Sequence, residues 1–280
     1  MRKYLLDKGY QKATVEGYIL NAKDFIKWLK KEQIKLGNLG YAEALKWVGV
    51  KQGQGLNART INRKILSINH LYDSQNLKSP MQELRLRGVR HEVKREEIVY
   101  EDLLNLYSVY QVGGLVGKRN KVMLGVLIYQ GVKRSELEKL KESDVDMERG
   151  LIRVPETGST NSRILFLQAN QILDLNKYLY HVRPELNTEN SEALFISQGN
   201  GKKLANALGF LMRRIRKEYD IKLTATGIRQ CVISKWLEEK NLREVQYMAG
   251  HRNVSSTFKY GSRSLKELSE EIERVHPLSG

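Results

Sequence analysis

The stretch GHRNVSSTFKYG, residues 250–261, places His251 directly after a glycine and Tyr260 nine positions further on, among small and hydroxylated side chains. Alone it leaves two readings open. His251 can cap a turn and Tyr260 can pack on Phe258, or the pair can belong to a nucleophilic site, since a phenol attacks when neighbouring groups activate it. Short motifs match by chance, so the decision rests on what surrounds this one.

Working outward, charge is the strongest signal. The 280 residues carry 48 Lys+Arg against 32 Asp+Glu, a net charge of +16. This favours an anionic partner, with nucleic acid first. The excess is uneven: residues 1–95 hold 20 basic and 8 acidic side chains, whereas residues 96–280 hold 28 and 24. Phosphate contacts, whose affinity comes from released counterions, account for such asymmetry better than a merely solvated surface. A membrane surface competes poorly. The longest apolar run, VMLGVLIY at residues 122–129, is far short of the roughly 18 residues that span a bilayer. The opening MRKYLLDKGYQ has no apolar signal-peptide core, so the expected location is cytoplasmic. Cys231, the single cysteine, forms neither an internal disulfide nor a zinc site, and reads as a buried thiol of an apolar helix.

The length suits two domains. In TVEGYILNAKDFIKWLKKEQ, Val15, Tyr18, Ile19, Ala22, Phe25, Ile26 and Leu29 recur at three- and four-residue steps, with Thr14 as the expected N-cap. A second helix is expected across YAEALKWVGVKQ. In a third, Ile61, Ile65, Ile68, Leu71 and Tyr72 form the apolar stripe while Arg59, Arg63 and Lys64 lie mostly off it, a pattern suited to a helix laid along DNA. The segment SPMQELRLRGVRHEVKR, with Arg85, Arg87, Arg90 and Arg95, reads as a basic interdomain connection. Beyond it the pattern is mainly helical, with one hairpin, LIRVPETGSTNSRILFLQ, turning near Gly158. The final amphipathic stretch, LKELSEEIERV, carries Leu265, Leu268, Ile272 and Val275 on one stripe.

In this order the pieces resemble the tyrosine recombinase (phage integrase, Xer-like) family over nearly the whole chain. The helices TVEGYILNAKDFIKWL and ARTINRKILSINHLY look like its core-binding domain. YQGVKRSELEKLKESDVD is similar to its first arginine box, TATGIRQ to its His-x-x-Arg box, and GHRNVSSTFKYG to its Gly-His segment with the nucleophilic tyrosine. A helical DNA-binding repressor would share the charge but not these ordered boxes. The resemblance implies a mainly α fold with a small β-hairpin or sheet. Its domains are a helical core-binding domain over residues 1–88, a basic linker over 89–95 and a catalytic-type domain over 96–280. It also implies double-stranded DNA as partner, self-association on DNA through the C-terminal helix, and no metal or other cofactor.

The implied chemistry is attack by a tyrosine on a DNA phosphodiester, giving a 3′-phosphotyrosine and a free 5′-hydroxyl. Paired arginines and a histidine meet the charge that grows on the non-bridging oxygens, and a hairpin lysine protonates the leaving oxygen. Carried over by position, Tyr260 is the nucleophile, Arg229 the second-box arginine and His251 a hydrogen-bond donor. Three positions depart: Lys133 stands where the first arginine belongs, Glu156 near the hairpin lysine and Thr226 at the first histidine. Gln230 replaces the residue after Arg229, commonly histidine. Lysine keeps the positive charge but loses the planar fork of donors. Arg134 does not simply replace Lys133, because one residue turns a helical side chain by roughly 100°. The implied function is a site-specific DNA recombinase or integrase, with a catalytically impaired DNA-binding protein of the same fold as the alternative. Pairing of Arg229 with a buried carboxylate such as Glu136 is the purely structural reading of that residue.

Overall fold

The computed structural model describes residues 1–87, 98–197 and 204–260, and the chain divides into two compact units, Met1–Val93 and Lys94–Gly280. The expected linker at 89–95 and the C-terminal helix at 265–275 lie outside the described residues.

In the first unit, α1 (Arg2–Asp7) packs through Leu5 against Val15 and Tyr18 of α2 (Lys12–Lys31), while α2, α3 (Tyr41–Gly53) and α4 (Ala58–Asp73) pack around Phe25, Trp47, Ile61, Ile65 and Ile68. All five expected stripe residues of α4 are buried, and Asn57 caps it by accepting from Thr60 N at 2.9 Å. Two expectations for α2 are corrected. The helix starts at Lys12, before Thr14, with extended Gln11 at the N-cap, because Gly9 in the left-handed region turns the chain out of α1 just ahead of it. Ile26 is 36% exposed and Ile19 only half-buried. The buried line runs 15, 18, 22, 25, 29, so both isoleucines fall one step off it, and Trp28 is buried beside the line. After α4, both side-chain groups of Asn62 bond the backbone of Leu86 at 2.9 Å, which holds the extended segment carrying exposed Arg85 and Arg87.

The second unit is built around α6 (Gly114–Gln130), buried continuously from Val122 to Ile128. A helix apolar on all sides needs neighbours all round. It packs on α5 (Tyr100–Val109), α8 (Ala169–Lys177) and α11 (Ala225–Glu239). Short α7 (Arg134–Leu137) follows α6 and leads to an antiparallel sheet of β1 (Val145–Asp146), β2 (Leu151–Val154) and β3 (Arg163–Phe166). The expected hairpin is β2–β3, with Val154 opposite Arg163 and Leu151 opposite Phe166; Thr157 and Thr160 pair at its tip. Helix α8 runs through a π turn at Tyr178–Val182 into α9 (Arg183–Leu186). Then come α10 (Leu204–Tyr219), α11 and α12 (Leu242–Ala249), and residues 254–260 are again helical. The architecture is therefore mainly α with one small sheet. No helix among the described residues is long and apolar enough to cross a membrane. Cys231 is half-buried, its Sγ directed at Ile98 O at 3.1 Å, and burial pushes its thiol up to about 11, which leaves it an inert structural group.

Candidate active site

Two left-handed glycines end the helices that frame the site. Gly131 follows α6 at φ +54, where a Cβ would meet Val232 and Trp236 at 3.0 and 3.1 Å. Gly250 follows α12 at φ +65. Near these ends the guanidinium of Arg229, on α11, donates to Gly131 O and to Ala249 O, each at 2.6 Å. Carbonyls at helix C-termini lack intrahelical partners and carry partial negative charge, so a buried arginine is well matched to both. Arg229 is 4% exposed, and burial lowers its pKa to about 10 although Glu136 opposes the shift.

Glu136, fully buried in α7, accepts a two-pronged interaction from Arg163 at 2.8 and 3.0 Å. It also accepts from Lys133 N at 2.7 Å and lies 3.6 Å from Arg229 Nη1. Burial pushes its carboxyl up, but Arg163 and these donors hold it below the ordinary range, so it stays ionised. Arg229 and Glu136 are thus paired, as the structural reading expects, but the main partner of Glu136 is Arg163. Against this single carboxylate stand Arg163, Arg229 and Lys133, which leaves the site cationic. Burial, followed by repulsion from Arg229, lowers the Lys133 pKa. Its Nζ bonds Ser159 Oγ at the hairpin tip at 3.1 Å.

His251 follows Gly250 into this environment and is 7% exposed. Burial first, then Arg229, Lys133 and Arg163, lowers its pKa to about 4. The neutral ring accepts at Nε2 from Arg229 at 3.2 Å, and its Nδ1–H donates to Thr257 Oγ1 at 2.8 Å. Residues 254–260 then bring the Tyr260 ring to 5.9 Å from the His251 ring, stacked at 14°. A cleft of about 550 Å³ is lined by Lys133, Ser159, Gln230, His251, Arg252 and Tyr260, among others. Beside it a second cleft shares Lys133 and Tyr260 and adds Arg134, Thr226 and Arg229.

Six of the expected positions, Lys133, Thr226, Arg229, Gln230, His251 and Tyr260, therefore come together from three separate segments of the chain. Glu156 does not: it is exposed, lines neither cleft, and its backbone carbonyl accepts from Lys139. Pairing of Thr157 with Thr160 makes Ser159 the tip residue that faces Lys133. Arg134 is exposed and pairs with Glu138. In the first unit Arg59 and Arg63 are exposed, whereas Lys64 shares Asp24 with Lys51 at 2.9 and 3.0 Å. Sequence reasoning missed Arg163, Ser159 and Thr257. Arg163 had a usable signal, because alternation along β3 puts it on the buried face with Leu165, where a guanidinium requires a carboxylate. No cluster of three or more His, Cys, Asp or Glu among the described residues is arranged to hold a metal.

Residues 98–266 match the model of the phage integrase family. The chain belongs to that family. Its phage integrase relatives include the tyrosine recombinase XerC of Bacillus licheniformis, 28% identical over 97% of this chain and 93% of the relative. Another is the TnP I resolvase of Bacillus thuringiensis, 24% identical over 96% of each chain. Among solved structures, the XerH site-specific recombinase bound to its difH substrate aligns with a TM-score of 0.71 at 19% identity, covering 91% of this chain and 78% of that one. The Tn1549 transposon integrase in complex with transposon right end DNA aligns at 0.63 and 16% identity, covering 91% and 92%. At such identities the structural likeness bears on fold.

Proposed function

We propose that this phage integrase family member is a site-specific DNA recombinase in which Tyr260 Oη attacks a backbone phosphorus. The P–O5′ bond breaks, a 3′-phosphotyrosine forms and a 5′-hydroxyl leaves; its return attack rejoins the strand, so bond energy is conserved. Lys133 and Arg229 offset charge on the non-bridging oxygens. In the geometry described, His251 donates to Thr257, and donation to a phosphate requires its imidazolium, a form that an anion in the cleft favours. Residues 1–88 and 96–280 act as two DNA-gripping domains joined by residues 89–95, the C-terminal helix mediates self-association on DNA, and the protein works in the cytoplasm. The observation that carries this reading is the convergence of Lys133, Arg229, His251 and Tyr260 on a cationic cleft.

A second reading, a DNA-binding accessory protein with an impaired site, is favoured by the hairpin tip. Ser159 and not a lysine occupies it, and the Lys133 ammonium is engaged there. Selection from random duplexes gives the DNA site, and a nicked version of that duplex then separates the readings. A covalent, protease-sensitive adduct that disappears in Tyr260→Phe is expected. Tight binding without adduct supports the accessory reading, and absence of DNA binding overturns both.

A further inference from the structure

Helix α10 presents one stripe, Ala205, Gly209, Met212, Arg213 and Arg216, to a groove of about 340 Å³ whose other wall is Arg134 and the start of α11 at Thr224, Ala225 and Thr226. The spacing puts these α10 residues on one face, while Ala207, Leu208, Leu211 and Ile215 anchor the helix in the core. Small residues at 205 and 209 keep the near end open, and a Cβ at Gly209 would come 3.7 Å from Arg213 Nη1. Arg214, by contrast, is held by Glu218 at 2.8 Å and lies over Tyr110. Arg213 and Arg216 are exposed, and among the described residues neither is in an ion pair; Arg213 rests on the Phe210 ring, 4.4 Å from its centroid. The groove shares Arg134, Ala225 and Thr226 with the cleft that holds Lys133, Arg229 and Tyr260.

We infer that this groove is a second phosphate subsite, in which Arg213 and Arg216 hold the DNA backbone phosphate next to the scissile one. The inference rests on the recombinase reading and extends it. Exposed guanidinium groups not committed to carboxylates give up little on pairing with a phosphate, and their planar forks suit its oxygens. The exposed α11 position at which Thr226 replaces the family's histidine forms the boundary between the two sites. A strand held on both sides of that position is positioned without an imidazole there.

The test uses the full chain, its selected duplex and the double variant Arg213→Gln/Arg216→Gln, with Arg214→Gln for comparison. The slope of log K against log salt should fall by about 0.9 in the double variant, because the two arginines hold one phosphate. Arg214→Gln should leave it nearly unchanged. A single neutral methylphosphonate beside the cleavage position should weaken binding of the unmodified protein and have little effect on the double variant. Both arginines are exposed, so thermal unfolding should match the unmodified protein. An unchanged slope, or equal sensitivity of both proteins to the methylphosphonate, overturns the subsite while leaving the recombinase reading intact. Failure of the unmodified protein to bind any duplex overturns both.

Discussion

A Cβ at Gly250 would lie 2.6 Å from Arg163 Nη1 and 2.9 Å from Asn161 O, on a backbone already at φ +65. Alanine there adds left-handed strain to a collision with the buried Arg163 guanidinium and a backbone carbonyl, and should destabilise the protein by about 2–4 kcal/mol. Because His251 is the next residue, adduct yield should fall as well; denaturant unfolding with an adduct assay checks both, and an unchanged midpoint would refute the argument. His251 itself makes stability depend on pH. Folding lowers its pKa from the ordinary 6.5 to about 4, so between those values the unfolded chain binds more protons. The contribution is complete above pH 6.5 and is lost as the pH falls towards 4, by about 2 kcal/mol at pH 5. Unfolding of the unmodified protein and of His251→Gln at pH 7.5 and pH 5 measures this. Equal losses in the two proteins would contradict it.

Elements meet at the site through the buried Arg163–Glu136 pair, which links β3 to α7, and through Arg229, which links α11 to the ends of α6 and α12. Truncating one member of the Arg163–Glu136 pair leaves an uncompensated buried charge, so these two residues place Lys133 and Arg229 without lining either cleft. The β2–β3 hairpin adds the tip. With Thr157 and Thr160 paired, the tip presents Ser159 towards Lys133, while Glu156 stays on the surface. A general acid is therefore best restored at Ser159. The combination Ser159→Lys, Lys133→Arg and Thr226→His should raise the initial rate of adduct formation on a nicked duplex at least tenfold, and by more than the product of the single changes, because groups acting on one phosphate behave as a unit. Glu156→Lys in place of Ser159→Lys should give little. Equal gains from the two lysines would mean that the tip geometry does not govern the chemistry.

At the scale of the whole molecule, basic excess is concentrated in residues 1–95, but geometry decides which of those charges meets a phosphate. Arg59 and Arg63 are exposed on α4, whereas Lys64 is turned to Asp24. Replacing either arginine by alanine should reduce the salt slope of duplex binding by about 0.9, and Lys64→Ala should reduce it less. Gel-shift or fluorescence titrations across a salt series measure these slopes. A loss at Lys64 equal to that at the arginines would show that the Asp24 pair opens on DNA.

Periodicity and the order of the boxes determined the helices, the single hairpin and the family resemblance, and singled out Lys133, Arg229, His251 and Tyr260 as expected site positions, because apolar spacing and motif order are local properties of the chain. The stripe of α4 was legible residue by residue. The first turn of α2 was not, since its start is set by the reversal at Gly9. Glu156 was misplaced for a related reason: a hairpin tip is defined by cross-strand pairing, and counting along the chain cannot say which residue of the turn faces inward. The partners of Glu136, the neutral state of His251, the commitment of Lys64 to Asp24 and the shared groove beside Thr226 were decided only by tertiary structure. Each depends on burial and on charges brought together from distant segments, and distance and desolvation, which set those energies, are not written in the order of residues.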